Sequence, residues 1–318
     1  MKQVILDIHL GGWHIPIYGY GLMLVIGFLA AAHWAKYLAK RSGLDGEVFI
    51  NAALVALVTG IIGARVSHIL ENLGDFTRAD RTVGENLLNM INLRSGGLTY
   101  YGGFLLAFPT LVGYLIWKKL PLRASMDIAA PCLMVALGFG RVGCFMNGCC
   151  YGAECDLPWA IQFPYDSPPY VDQFLKGQVK PDPRLLEDAN GRLQLRDVED
   201  IEKDPQLRAL ARSEWSKPVH PAQFYSTFTS FLIAGITFAY LTLRRAPGRA
   251  AAWMLILEGG SRFLLEMVRA EPAVVGPMSL SMIIGLGLMV LGIGLWFVFG
   301  KLSSEGPAVR AAVAAART

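Results

Sequence analysis

The chain has 318 residues, 53% hydrophobic and only 17% charged, with a net charge of +4 and a mean hydropathy of +0.41. Soluble domains carry about 25% charged residues, so this balance excludes a disordered chain, a coiled coil and a disulfide-stapled miniprotein. The small net charge gives no reason to expect a nucleic-acid partner, and a polytopic membrane protein is what remains.

An apolar helix needs about 20 residues to cross the hydrocarbon core. Seven such stretches occur in order, centred on 16–36, 50–70, 98–117, 126–146, 220–243, 250–268 and 277–299. The fold class expected is an all-α integral membrane protein with seven transmembrane helices. The N-terminal stretch carries only Lys2 and has no basic leader or small-residue cleavage site, so the first span is expected to be retained. Lys36, Lys40 and Arg41 follow the first span, and Lys118, Lys119 and Arg123 the third. Arg244, Arg245 and Arg249 separate the fifth and sixth; Lys301, Arg310 and Arg317 follow the seventh. Basic clusters in short loops mark the cytoplasmic side, which puts the N-terminus outside and the C-terminus in the cytoplasm.

The division that follows is a membrane domain at 1–152 with spans one to four, an extracytoplasmic insertion at 153–217, a membrane domain at 218–302 with spans five to seven, and a cytoplasmic tail at 303–318. The insertion is rich in Pro and in mixed charge. It reads first as a solvated segment and second as a partner-binding arm.

Charges inside spans carry the functional signal, because each costs about 2.5–3.5 kcal/mol at a helix centre and so faces a protein interior. Arg65, Arg141, Arg262 and Glu266 are such residues. The three arginines each precede the expected outer end of their span by five or six residues, roughly 8 Å at 1.5 Å per residue. Tyr20, Tyr100, Tyr101 and His220 enter from the outside to a similar level. Arginine is always charged and binds phosphate bidentately, so this cluster suits a lipid phosphate. The plainer reading pairs Arg262 with Glu266 and lets Arg65 and Arg141 bond stray carbonyls.

Gly138-Phe139-Gly140-Arg141-Val142-Gly143 matches the G-x-G-x-x-G dinucleotide fingerprint, but that pattern has meaning only between a strand and a helix of a βαβ unit. In a membrane helix it argues for close backbone approach instead, and no nicotinamide cofactor is expected.

The run from Gly140 to Gly152, GRVGCFMNGCCYG, resembles the signature of bacterial prolipoprotein diacylglyceryl transferases. Further matches follow in that family's order: Tyr18 to Met23, Gly63-Ala64-Arg65, Gly96 to Gly103, Asp127 with Pro131, His220 to Tyr225, and Arg262, Glu266 and Arg269. The resemblance covers nearly the whole chain except 153–217 and the tail. It implies an enzyme of the bacterial cytoplasmic (inner) membrane, multi-pass, with its active site facing the outer leaflet. The reaction implied moves diacylglycerol from phosphatidylglycerol to the lipobox cysteine thiol in the signal peptide of a secreted prolipoprotein, forming a thioether and releasing glycerol phosphate.

By the same resemblance Arg141 and Arg262 would hold the phosphate and Glu266 would orient Arg262. Tyr20, Arg65, Gly102 and Gly103 would serve the headgroup. Asn147 and Gly152 would shape the loop beneath it, and Arg269 would flank the mouth. The family's usual His is Tyr101 here, and its signature Asn and Glu are Cys144 and Cys149. Tyr101 and His220 are therefore the candidates for proton transfer. No metal and no organic cofactor is implied; the partners are phosphatidylglycerol, the prolipoprotein and membrane lipids.

Four of the five cysteines cluster at the end of span four: Cys144, Cys149, Cys150 and Cys155. One disulfide, Cys149 or Cys150 with Cys155, is expected to pin the loop on an oxidising face. Two other functions compete: a lipid-binding or transport protein built on the buried arginines, and a membrane thiol oxidoreductase using Cys149 and Cys150. The redox reading is weakened by the strain of a bridge between adjacent cysteines.

Overall fold

The computed structural model describes residues 4–10, 13–77, 82–92, 97, 99–189, 192–243, 246–269, 274, 276 and 278–302. Arg244, Arg245 and the tail at 303–318 lie outside the described residues. The chain opens with two antiparallel strands, β1 (Val4–Leu10) and β2 (Trp13–Tyr18), paired Leu6 to Ile17 through Leu10 to Trp13. The first helix begins only at Gly19, so the expected start at 16 falls in a strand. The residues before Gly19 are rich in β-branched side chains, which favour the pleated backbone.

Long helices follow wherever an apolar stretch was read: α1 (Gly19–Arg41), α2 (Gly46–Glu71), α5 (Tyr100–Trp117), α6 (Leu122–Asn147), α10 (Ala222–Thr242), α11 (Arg249–Glu266) and α12 (Leu280–Lys301). Their starts are chemically marked in places. Asp45 caps α2 by accepting from the Glu47 N–H at 2.9 Å, satisfying one of the first-turn donors that a helix cannot pair internally. Pro109 and Pro131 sit inside α5 and α6, as membrane helices tolerate where neighbours re-satisfy the freed backbone.

Five of these helices (α1, α2, α6, α10 and α12) are long and apolar enough to cross a membrane, and Tyr101–Trp117 is a shorter apolar helix. The sixth expected span is helical, but α11 carries Arg249, Glu258, Arg262 and Glu266 within 18 residues, which lowers its hydropathy. Between α2 and α5 lie α3 (Leu73–Phe76) and α4 (Val83–Ile91), the latter opened by a capping box between Thr82 and Glu85. The chain is thus mostly helical rather than purely so, with two small hairpins.

The second hairpin belongs to the insertion, where α7 (Pro168–Leu175), β3 (Leu186–Ala189), β4 (Arg192–Leu195), α8 (Val198–Lys203) and α9 (Pro205–Ser213) follow in order. This segment is folded, not merely solvated. Phe163, Tyr170, Leu185 and Ile201 are buried within it, and the Tyr165 hydroxyl lies 3.0 and 3.1 Å from the carbonyls of Leu185 and Arg196. Its two ends meet in a neck of isolated bridges, Glu154 to Val219, Ile161 to Val219 and Pro164 to Trp215.

The chain groups into two compact units. The first comprises Met1–Ala31, Ala130–Arg245 and Arg249–Phe299; the second comprises Ala32–Ala129, Ala246–Gly248 and Gly300–Thr318. In the first unit small residues set close crossings. Gly259 of α11 meets the Gly285 carbonyl of α12, and Gly27 of α1 leaves room for Phe139 of α6. In the second, Gly60 and Gly63 of α2 face Gly102 and Gly103 of α5 with backbone against backbone, so a methyl group at Gly102 would overlap Ser67. These are the small-residue contacts that let helices pack where lipid supplies no hydrophobic drive.

Candidate active site

Helix α11 presents Glu258, Arg262 and Glu266 at intervals of four, a spacing that stacks them on one face. Arg269 follows just past the helix end. Arg141 comes from α6, two turns before its C-terminus, and Cys150 from the loop beyond. All six line one pocket in the first unit, with Ser226 of α10 and Ser281 of α12 adding hydroxyls.

The pairing inside the pocket is uneven. Arg262 Nε stands 3.8 Å from Glu258 Oε1, an ion contact too long for a hydrogen bond. Glu266 is buried; its Oε1 accepts from Ser279 Oγ at 3.0 Å and its Oε2 faces Arg269 Nη1 at 3.5 Å. Arg141 Nε is buried with no hydrogen-bond partner among the described residues. Three guanidiniums against two carboxylates leave a formal excess of one positive charge. A buried donor left unmade costs about 1–3 kcal/mol, more when charged, so this arrangement is built to receive an anion.

The convergence of arginines expected from the sequence holds for Arg141 and Arg262, and Arg269 is the third. Arg65 lies in the second unit, and its buried guanidinium is spent on main-chain carbonyls at the end of α4 and beyond it. Nε donates to Met90 at 2.8 Å, Nη1 to Gly97 at 3.0 Å, and Nη2 to Asn89 and Asn92 at 2.7 and 2.8 Å. The plainer reading therefore describes Arg65, which secures the segment after α4. Gly102 and Gly103 are packing contacts of the same unit, and Tyr101 is half exposed there. Glu258 went unread in the sequence, although an acid four residues before Arg262 in a span was the available signal.

Tyr20 of α1 packs on Gly143, whose missing side chain admits it, and is within electrostatic reach of Arg141 and of Cys144, Cys149 and Cys150. Gly152 has no room for a side chain: a Cβ there would press on His220 and on the Val268 carbonyl. Its N–H donates to His220 O at 3.0 Å, while Ala153 N–H donates to Val268 O at 2.8 Å. The His220 ring lies against Tyr225 with Nδ1 buried and unbonded.

The end of α6 is turned sharply. Gly148 adopts φ +73, a left-handed helix-ending conformation that favours glycine, and Cys149 N–H donates to Cys144 O at 3.0 Å. Cys150 also has positive φ, +58. Gln223 Nε2 donates to Cys149 O at 2.8 Å and fixes the turn to α10. The sulfurs of Cys144, Cys149 and Cys150 consequently lie within 4.8 Å of one another. The Cys149 thiol donates to Cys144 O at 3.6 Å. The expected disulfide is not formed: all five cysteines are unbridged, and Cys155 is held in the neck through its N–H to Pro218 O at 3.1 Å.

The chain is 26% identical over 300 residues to the phosphatidylglycerol–prolipoprotein diacylglyceryl transferase of Clostridium tetani, covering 94% of this chain and 97% of the relative. It is 28% identical over 313 residues to the enzyme of that name from Methylobacillus flagellatus, covering 93% and 95%. A counterpart from Rhodopirellula baltica is 37% identical over 166 residues, 52% of this chain but only 33% of the relative. The family model described as prolipoprotein diacylglyceryl transferase matches residues 7–298. The chain belongs to the prolipoprotein diacylglyceryl transferase family.

Proposed function

We propose that the chain transfers the diacylglyceryl group of phosphatidylglycerol to the lipobox cysteine thiol of a secreted prolipoprotein. The observation that carries this reading is Arg141, a buried guanidinium with an unbonded Nε in a pocket of net positive charge. A phosphodiester carries one negative charge, which matches the pocket's excess of one. Family membership supplies the substrates.

The reaction is a displacement. The incoming thiolate attacks the glyceryl carbon next to phosphate, that carbon–oxygen bond breaks, and glycerol phosphate departs with the bonding pair. Charge grows on the leaving phosphate, so preorganised guanidiniums stabilise the transition state more than the bound lipid. In this scheme Arg141 and Arg262 contact the phosphate, Glu258 and Glu266 hold the arginine heads in register, and Arg269 closes the mouth. Tyr20 steers the headgroup beside Gly143, while Asn147 and Gly152 hold the loop below. His220 is the candidate for receiving the thiol proton. The membrane setting belongs to the same proposal: seven crossings, the N-terminus outside, the pocket open to the outer leaflet of the bacterial cytoplasmic membrane.

The test supplies purified protein with phosphatidylglycerol and a lipobox peptide and measures peptide mass. A gain of one diacylglyceryl group, lost with a Cys→Ser peptide, is expected. No gain, in conditions where a family enzyme works, overturns the proposal.

A further inference from the structure

Cys144, Cys149 and Cys150 bring three sulfurs within 4.8 Å of one another, an arrangement that neither the bilayer nor helix packing requires. Two local devices create it. Gly148, at φ +73, folds the chain back over the last turn of α6, and Cys150, at φ +58, holds a conformation uncommon for a side chain with a Cβ. Gln223 locks the intervening carbonyl from another helix. The sulfurs are part-buried and unbridged, and Cys150 lines the arginine pocket.

The geometry points to a binding site for a thiophilic d10 cation, Zn2+, held by Cys144, Cys149 and Cys150. With zinc–sulfur bonds of about 2.3 Å, ligand sulfurs lie about 3.8–4.0 Å apart, so rotamer adjustment within the observed limit suffices. Thiolate ligands select soft and borderline metals over Mg2+ or Ca2+. Three thiolates and a dication carry a net charge of −1, and Cys150 shares its pocket with the guanidiniums of Arg141 and Arg269. Three protein ligands leave a tetrahedral ion one open position, the mark of a reactive rather than a structural site.

That position assigns the ion a role that rests on the proposed transferase reading. The lipobox thiol takes the fourth place and passes its proton to His220, the acceptor proposed above, since a metal-bound thiol is deprotonated outright. The sulfur pair then attacks the glyceryl carbon, the carbon–oxygen bond breaks, and its electrons leave on glycerol phosphate held by Arg141 and Arg262. The thioether product is a poorer ligand and departs. No oxidant or reductant is consumed.

The site is tested without any activity assay. Reduced, metal-stripped full-length protein in detergent is titrated with Cd2+, a spectroscopic substitute for Zn2+, and thiolate-to-metal charge-transfer absorption is followed. Saturation at one ion per chain is expected. Cys144→Ser, Cys149→Ser or Cys150→Ser should each weaken binding by roughly 100-fold or more, since even indirect partners of ligands cost 10–100-fold; Cys155→Ser should leave it unchanged. Should a variant misfold, alkylation mapping of the unsubstituted protein decides. Zn2+ must protect these three thiols and not Cys155. Absorption that persists in the triple Ser variant, or a disulfide joining two of the three in freshly isolated protein, overturns the site.

The open position is tested by adding a lipobox peptide to the Cd2+-loaded protein. A shifted absorption with the Cys peptide but not its Ser counterpart is expected, and no shift overturns the role. Undiminished transfer by the triple Ser variant would remove the ion from the reaction while the transferase reading stands. A peptide-dependent shift with no transfer would leave thiol binding at the ion standing and overturn the transferase reading.

Discussion

The Glu266 carboxylate joins Ser279 Oγ at 3.0 Å to Arg269 Nη1 at 3.5 Å, so one buried acid ties the end of α11 to the residue before α12. A hydrogen bond to a charged group contributes about 1.5–3 kcal/mol, and stranding a buried charge costs about 3–5 kcal/mol. Ser279→Ala is expected to destabilise by the smaller amount and Glu266→Ala by the larger. Denaturant unfolding in detergent checks the order, and an unchanged stability of Ser279→Ala would show that Ser279 contributes nothing to the carboxylate.

Arg141 contributes an unbonded buried donor rather than a scaffold contact. Arg141→Lys keeps the charge but loses the planar fork. A fall in kcat of about 10²–10³-fold is expected, the cost of one preorganised donor at a developing anion, with little change in unfolding midpoint. A variant that unfolds early would instead make Arg141 structural.

Glu258 limits the positive field around Arg262. Glu258→Gln removes one of the pocket's two negative charges, so anions should bind more tightly. Product inhibition by glycerol phosphate is expected to strengthen by roughly tenfold, equivalent to about 1.4 kcal/mol. Weaker inhibition would mean that the acid orients Arg262 more than it opposes the ligand.

Arg65 answers to a different measurement. Its guanidinium satisfies the carbonyls of Asn89, Met90, Asn92 and Gly97, so Arg65→Met should destabilise by about 3–5 kcal/mol. The KM for phosphatidylglycerol measured well below the unfolding temperature should barely move. A raised KM in a stable variant would return Arg65 to the headgroup.

The glycine crossing of α2 and α5 separates packing from propensity. Gly102→Ala overlaps Ser67 and the Gly63 carbonyl, whereas Gly113→Ala meets nothing within 4 Å. The first is expected to cost at least about 1–3 kcal/mol, and the second to be neutral or stabilising by up to about 1 kcal/mol. Comparable losses in both would argue against the crossing.

Hydropathy made the long helices legible because each span is continuous in sequence. Arg141 of α6 and Arg262 of α11 were legible because a guanidinium in an apolar run stands out. Arg65 stood out for the same reason, but its four acceptors are main-chain oxygens at 89–97, and backbone carbonyls leave no trace in residue identity. The cysteine cluster depended on the left-handed turn at Gly148 and Cys150, so spacing alone suggested a bridge to Cys155. The terminal hairpin escaped notice because its β-branched run merges with the first span.

The bridges at Glu154, Ile161 and Pro164 bring the start and finish of the insertion side by side, and they are made by main-chain atoms, which any side chain can supply. Everything distal to that neck forms a closed lobe whose size and content the neck itself does not dictate. An engineer could exchange the lobe for a short linker or a reporter module while the arginines beneath keep their places.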